Sequence, residues 1–228
     1  MKKSALVRIV IWSAVALLLA AVMVAVLAGG SMQGFSINLG LFGYSYANAD
    51  EYRVGDFSVD ASTIRNIDVD WLAGSVTIQT YDGNEIKVSE DPGLDDAEML
   101  RYRISGDELS IKFCKSGRVR AKSGKDLVLL VPKNANLHDV DVSLVASDLE
   151  VSGGLSVDNF SAESVSGNTE ITLPAGTGAR IERDTLSGKF SAFGQDVSGN
   201  GGTFGNSSGS ITTIDADTVS GNVTVDEK

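Results

Sequence analysis

The tetrapeptide Val-Ser-Gly-Asn occurs three times in the last third of the chain, at Val165–Asn168, Val197–Asn200 and Val219–Asn222. Around these copies glycine recurs at Gly167, Gly178, Gly188, Gly199, Gly209 and Gly221, at intervals of 11, 10, 11, 10 and 12. Short alternating segments follow most of them, such as Thr169-Glu170-Ile171-Thr172-Leu173 and Val223-Thr224-Val225. A fixed period of this kind marks a repeat architecture. The double period of about 21 runs Gly167, Gly188, Gly209. One strand of five or six residues with its glycine turn fills half of it, so each rung carries two strands. A single rung cannot bury its apolar face alone, and neighbouring rungs must share one core. The pattern predicts an all-β chain, a β-solenoid or parallel β-helix-like stack. Its repeat turns fall at Gly74, Gly167, Gly188, Gly199, Gly209 and Gly221.

The N-terminus carries the second strong signal. Lys2, Lys3 and Arg8 precede an uncharged run of 22 residues from Ile9 to Gly30. About 20 apolar residues span a bilayer as a helix, and the cations before the run place the N-terminus in the cytoplasm. A cleaved signal peptide is the rival reading. Its apolar core is usually shorter, and the small-x-small triplet Ala47-Asn48-Ala49 lies well beyond the run. The expected organisation is a cytoplasmic tail (1–8), a transmembrane anchor (9–30), a Gly/aromatic linker (31–51) and an exported domain (52–228). Within the domain, irregular strands (52–133) precede Ser-Gly repeats (134–228). Phe35, Phe42, Tyr44 and Tyr46 in the linker are expected at headgroup level, where aromatic rings collect.

Between Tyr52 and Pro132, alternating segments such as Ile67-Asp68-Val69-Asp70, Val76-Thr77-Ile78-Gln79 and Leu109-Ser110-Ile111-Lys112-Phe113 predict strands with one buried face. Asp82-Gly83-Asn84 and Ser105-Gly106-Asp107 read as turns between them. Leu127–Val131 is apolar throughout and is expected to be buried on both faces, ended by Pro132.

The exported part carries 16 Lys and Arg against 30 Asp and Glu. That balance argues against nucleic acid and for cationic partners. Cys114 is the only cysteine, which excludes an internal disulfide.

The phrase Ile67-Asp68-Val69-Asp70-Trp71-Leu72-Ala73-Gly74-Ser75-Val76-Thr77-Ile78 resembles the opening of the putative-adhesin β-strand-repeat family, a group of unknown function common in Gram-positive bacteria. An alternating strand, a small-Gly-x turn and a second alternating strand make up the family phrase. The later Leu-Ser-Gly and Val-Ser-Gly-Asn repeats match it, so the likeness runs from about Ile64 to Val225. It implies a role in envelope surface structure, adhesion or envelope-stress sensing. It implies no catalytic residues.

Catalysis has little to stand on. His138 is the only histidine, which removes any two-His metal site. Cys114 reads as a structural cysteine despite Lys115 beside it. Asp68 with Asp70, and Asp215 with Asp217, lie on one side of a strand and read as wet faces rather than calcium ligands. One patch stands out by charge: Lys112, Lys115, Arg118, Arg120, Lys122 and Lys125 occur within Leu109–Lys125 without an acidic residue. By contrast, Asn134–Lys228 holds 4 basic and 14 acidic residues. The basic patch is read either as a contact for anionic lipid or wall polymer, or as a solvated hairpin.

The expectation is a non-enzymatic, cofactor-free, single-pass membrane protein whose extracytoplasmic repeat surface binds an envelope polymer, a cationic peptide or a membrane protein. Two alternatives stay open: an accessory subunit of a transporter or sensor complex acting through its spanning helix, and a carbohydrate-active β-helix enzyme.

Overall fold

Strand formation follows the alternation. The computed structural model describes residues 44–117, 124–206 and 208–228, and these form an all-β molecule. In chain order the strands are β1 (Arg53–Val54), β2 (Phe57–Asp60), β3 (Asn66–Tyr81), β4 (Glu85–Glu90), β5 (Arg101–Ser105), β6 (Glu108–Lys112), β7 (Lys125–Pro132) and β8 (Leu137–Ser152). Then come β9 (Val157–Ser166), β10 (Thr169–Leu173), β11 (Gly178–Ser187), β12 (Phe190–Ala192), β13 (Gln195–Asp196), β14 (Gly201–Gly205), β15 (Ile211–Ser220) and β16 (Val223–Glu227). Ala49–Glu51 and Ala61–Thr63 are single 3-10 turns.

The strands stack in parallel as two arms that meet at a corner. The first arm runs β6, the first half of β3, the first half of β8, β9, β15 and β11. The second runs β7, the second half of β3, the second half of β8, β10, β16 and β12. The buried residues of β3 show the corner directly. Ile67, Val69 and Trp71 point inward before it, and Val76 and Ile78 after it, so the inward positions change from odd to even numbers. A strand that turns a corner while keeping one face inside must change parity in this way. β8 does the same between Leu144 and Leu149.

Glycine makes the corner possible. At Gly74 φ is +108°, and an added Cβ would stand 2.0 Å from the carbonyl oxygen of Lys125 in the neighbouring layer. Gly167, Gly188 and Gly221 repeat this geometry with φ between +133° and +147°. The residue after each glycine tightens the stack. The amide of Asn168 donates to the Asp148 carboxylate (2.7 Å), that of Asn222 to the Asn168 side-chain oxygen (3.1 Å), and that of Lys189 to the Asn222 side-chain oxygen (3.0 Å). The repeated Gly-Asn pair is therefore one corner plus one vertical hydrogen bond.

Stack order departs from chain order at two places. β3 lies between the β6/β7 layer and β8, although β6 and β7 follow it in sequence. Likewise β15 and β16, the last strands of the chain, lie between the β9/β10 layer and the β11/β12 layer. Antiparallel strands close both ends: β5 on β6, β1 on β5, β4 on β7 and β2 on β4 at one end, and β14 on β11 with β13 on β12 at the other.

Three expectations need correction. Val128 and Leu130 in the apolar run of β7 are only half-buried, while Leu127, Leu129 and Val131 are buried. β7 pairs with β3 and β4 along its edges, but its outer face is not covered by another layer. Tyr44 and Tyr46 belong to the folded domain rather than to a headgroup belt. The Phe113 amide donates to the Tyr44 hydroxyl (3.1 Å), and the Tyr46 hydroxyl donates to the Cys114 carbonyl (3.1 Å). Burial pushes the Tyr44 hydroxyl well above the ordinary phenol range. Gly209 stands outside the corner column: it sits in a bend before β15, and the corner after Gly188 in the stack is Gly221. Gly199 lies in the turn between β13 and β14, so the second Val-Ser-Gly-Asn copy is not a corner. The 21-residue spacing fails there because the chain makes the β13–β14 excursion first. The expected anchor (9–30) lies outside the described residues. Among those described, no helix is long and apolar enough to cross a membrane.

Candidate functional site

The outer face of the first arm gathers carboxylates into rows. Pairing places Asp68, Asp141, Ser161, Asp215 and Glu182 side by side, one per layer. Two residues along, Asp70, Ser143, Glu163, Asp217 and Asp184 form a second row. Neighbours in a sheet lie roughly 5 Å apart, so like charges in such rows repel unless something offsets them. Asp141, Glu182 and Asp184 are exposed. Glu163, Asp215 and Asp217 are engaged in interactions of their own. Although Asp141 as a residue is exposed, the flanking strands strip part of the water from its carboxyl and raise it above its usual range, and the neighbouring Asp139, Asp68 and Glu108 charges add to the rise.

Lys112 closes one end of the rows. Its ammonium sits 2.7 Å from Asp68 and 2.6 Å from Asp70. Burial pulls its pKa down, but the Asp70 and Asp68 charges outweigh burial and raise it, so the lysine stays charged. β6 places it there because Lys112 faces Asp70 across a parallel pair.

Lys125 occupies a different environment. Its side chain is 4 % exposed and ion-paired with Glu90, whose own side chain is 2 % exposed. The ammonium also donates to the Glu98 carbonyl (2.7 Å) and lies over the rings of Trp71 (4.8 Å) and Phe113 (4.6 Å). The indole of Trp71 donates to the Lys125 carbonyl (2.9 Å). Burial lowers the Lys125 pKa, and Glu90 opposes that. A charged pair in an aromatic surround holds the cap strands to the first layers.

The basic patch expected at the surface is thus divided. Lys112 and Lys125 are buried and paired, because alternation turned both side chains towards carboxylates that a count along the chain does not reveal. Lys115 is exposed, and Arg118, Arg120 and Lys122 lie outside the described residues. Sequence reasoning missed Glu90 altogether. Its signal was weak: a single acidic residue ending the alternating segment Glu85–Glu90.

Cys114 is 1 % exposed, and burial pushes its thiol up to about 11, outweighing the nearby Lys125 and Arg101 charges. A protonated, enclosed thiol is neither a nucleophile nor a metal ligand. His138 is exposed at the start of β8 and bonds Asp158 through Nδ1 (2.8 Å). Among the described residues no group of three or more His, Cys, Asp and Glu side chains is placed to hold a metal ion. A shallow cleft of about 310 Å³ opens near the loops, lined by Asp60, Arg65, Asn84, Asn134 and Asn136.

Compared by sequence, the chain matches no protein-family model and no curated protein. Compared by fold, it is similar to the crystal structure of a "putative cell adhesion protein" from Clostridium sporogenes, with a TM-score of 0.53 and 16 % identity over 77 % of this chain and 100 % of that one. Two further solved structures, each titled a "putative adhesin", cover 77 % of this chain and 97 % of their own. One is from Bacteroides fragilis (TM-score 0.36, 9 % identity) and one from Parabacteroides distasonis (TM-score 0.26, 13 % identity). At such identity the likeness to the clostridial protein establishes one thing, a shared all-β fold.

Proposed function

We propose that this protein is an adhesin-like, extracytoplasmic interaction protein whose stacked strands form a solenoid presenting an acidic face to a cationic partner. Residues 9–30 hold it in the cell membrane with the N-terminus in the cytoplasm. The reading is non-enzymatic and needs no cofactor. The observation that carries it is the pair of carboxylate rows on the first arm, one acidic or hydroxyl side chain per layer. Asp141, Glu182 and Asp184 stand exposed along these rows, in layers roughly 5 Å apart that serines interrupt, and the spread of negative charge favours a chain of cations over a single ion. The fold shared with a protein titled as a cell adhesion protein supports the same direction.

The test is binding of the full chain to a cationic peptide, with anionic lipid vesicles as the opposing probe, at low and high salt. The proposal expects salt-sensitive capture of the peptide, because physiological salt screens exposed charges beyond about 8 Å. It also expects the capture to weaken in the triple variant Asp141→Asn, Glu182→Gln, Asp184→Asn. Equal capture by that variant, or capture of the anionic vesicles alone, would sink it.

A further inference from the structure

The two ends of the stack are finished differently. At the β1 and β2 end the terminal strands are short and charged: β1 has two residues including Arg53, and β2 has four, ending in Asp60. Short, charged strands are the usual means of keeping a sheet edge from pairing with another chain. The opposite end lacks that protection. β14 is five residues long, Gly201-Gly202-Thr203-Phe204-Gly205, and it is the outermost strand on the first arm. No charged residue occurs between Asp196 and Asp215, although the chain as a whole carries a net charge of −11.

The ladder shows which backbone groups of β14 are committed. The Gly178 amide donates to Ser210 on the β15 side, and the Arg183 amide donates to Asn200 on the β14 side. Alternation along β11 then turns Ala179 and Ile181 towards β14. Their partners Phe204 and Gly202 point inward. The amides and carbonyls of Gly201, Thr203 and Gly205 consequently point outward along the open edge, and Thr203 is exposed. Three outward residues in a neutral strand make a template for an added strand.

We propose that β14 is a self-association edge, at which a second copy of this chain pairs its own β14 antiparallel about a two-fold axis through Thr203. Antiparallel pairing of identical strands is isologous, so each copy supplies the same surface. Thr203 meets Thr203 of the other copy, and Gly201 meets Gly205 on either side of the axis. The glycines leave no side chains to hold the backbones apart. The neutral stretch brings no like charges together at the joint, whereas most other surfaces of this acidic chain repel a second copy. The result is an end-to-end dimer that doubles the length of the stack. This inference does not depend on the cationic-partner reading, because the joint lies at the stack end and not on the carboxylate rows.

The experiment is sedimentation equilibrium of the full chain in density-matched detergent, with four variants. The wild type is expected to form a concentration-dependent dimer. Thr203→Pro removes the central outward donor without touching a bond to β11, and Thr203→Lys places two cations across the axis. Both are expected to lose the dimer while keeping the wild-type thermal midpoint. Thr203→Cys is expected to give a disulfide-linked dimer under mild oxidation, since facing residues in a hydrogen-bonded antiparallel pair lie within disulfide reach. Ser58→Cys on the exposed β2 edge is expected to stay monomeric. A wild type that is monomeric at every concentration, a Thr203→Lys variant that folds and still dimerises, or equal cross-linking at Ser58 and Thr203 would overturn the proposal.

Discussion

Gly221 packs directly beneath Gly167, with so little space that a Cβ on Gly221 would stand 1.8 Å from the Gly167 carbonyl oxygen. Gly188 stands in the same relation to Gly221, also at 1.8 Å. These glycines answer two demands at once, a left-handed backbone and a carbonyl from the next layer in van der Waals contact.

Gly167→Ala and Gly221→Ala should therefore be among the most damaging single substitutions in the chain. Backbone strain and overpacking each cost about 1–3 kcal/mol, so a loss of about 2–6 kcal/mol is expected in chemical denaturation. Gly199→Ala is the control. Its φ is +64° with no atom within 4 Å of the added carbon, and about 1–2 kcal/mol is expected from the backbone alone. Equal losses at Gly199 and Gly221 would show that the close approach contributes nothing.

Lys125→Met should cost about 3–5 kcal/mol, because it strands the Glu90 carboxylate in an enclosed aromatic site. Combining it with Glu90→Gln should recover most of the loss. The amide of Leu100, which donates to Glu90 Oε1 at 2.6 Å, keeps an acceptor in glutamine. A double-mutant cycle by urea melting checks this, and additive losses would mean that the two side chains are not coupled.

His138 is the only histidine, so its titration can be read by NMR without assignment. The hydrogen bond to Asp158, followed by the Asp139 charge, raises its pKa above the ordinary 6.5. A raised histidine contributes stability that is fully present below pH 6.5 and is lost as pH rises through the folded-state value. Asp158→Asn should lower the titration midpoint and reduce the thermal midpoint only on the acid side. A midpoint that does not move would remove Asp158 as the cause.

The Cys114 thiol should resist alkylation at mildly alkaline pH in the folded protein and react fully in denaturant. Its pKa of about 11 and its 1 % exposure both oppose thiolate formation. Rapid labelling of the native chain, followed by mass spectrometry, would contradict the burial described above.

Much of the local structure was legible because the repeat encodes it. Val-Ser-Gly-Asn reports a corner and a vertical hydrogen bond, and at Gly167 and Gly221 both are present, each preceded by a half-buried valine (Val165, Val219) that follows an inward Ser164 or Thr218. The same four residues at Val197–Asn200 do something else, since the corner forms only where a neighbouring layer supplies the facing carbonyl. Stack order was illegible for a related reason: every layer offers the same spacing and the same ladder partners, so periodicity cannot say which layer sits on which. The basic residues show the remaining limit. Lys112 and Lys125 looked like surface charge in a run of cations, yet Asp68, Asp70 and Glu90, which claim them, are 35 to 44 residues away in sequence and are brought beside them only by strand pairing.

The placement of β15 and β16 between two layers that precede them in sequence has a consequence for how the stack is assembled. Ordinary repeat arrays can lengthen from one end, each new unit adding to the last. Here the layer of β11 and β12 has no partner on its inner side until the final strands arrive. A ribosome that has released everything up to Asn206 has therefore produced a chain whose last third is still unable to close. β15 and β16 are the wedge that completes the column, and this half of the protein becomes a folded object only once residues 211–227 have been made.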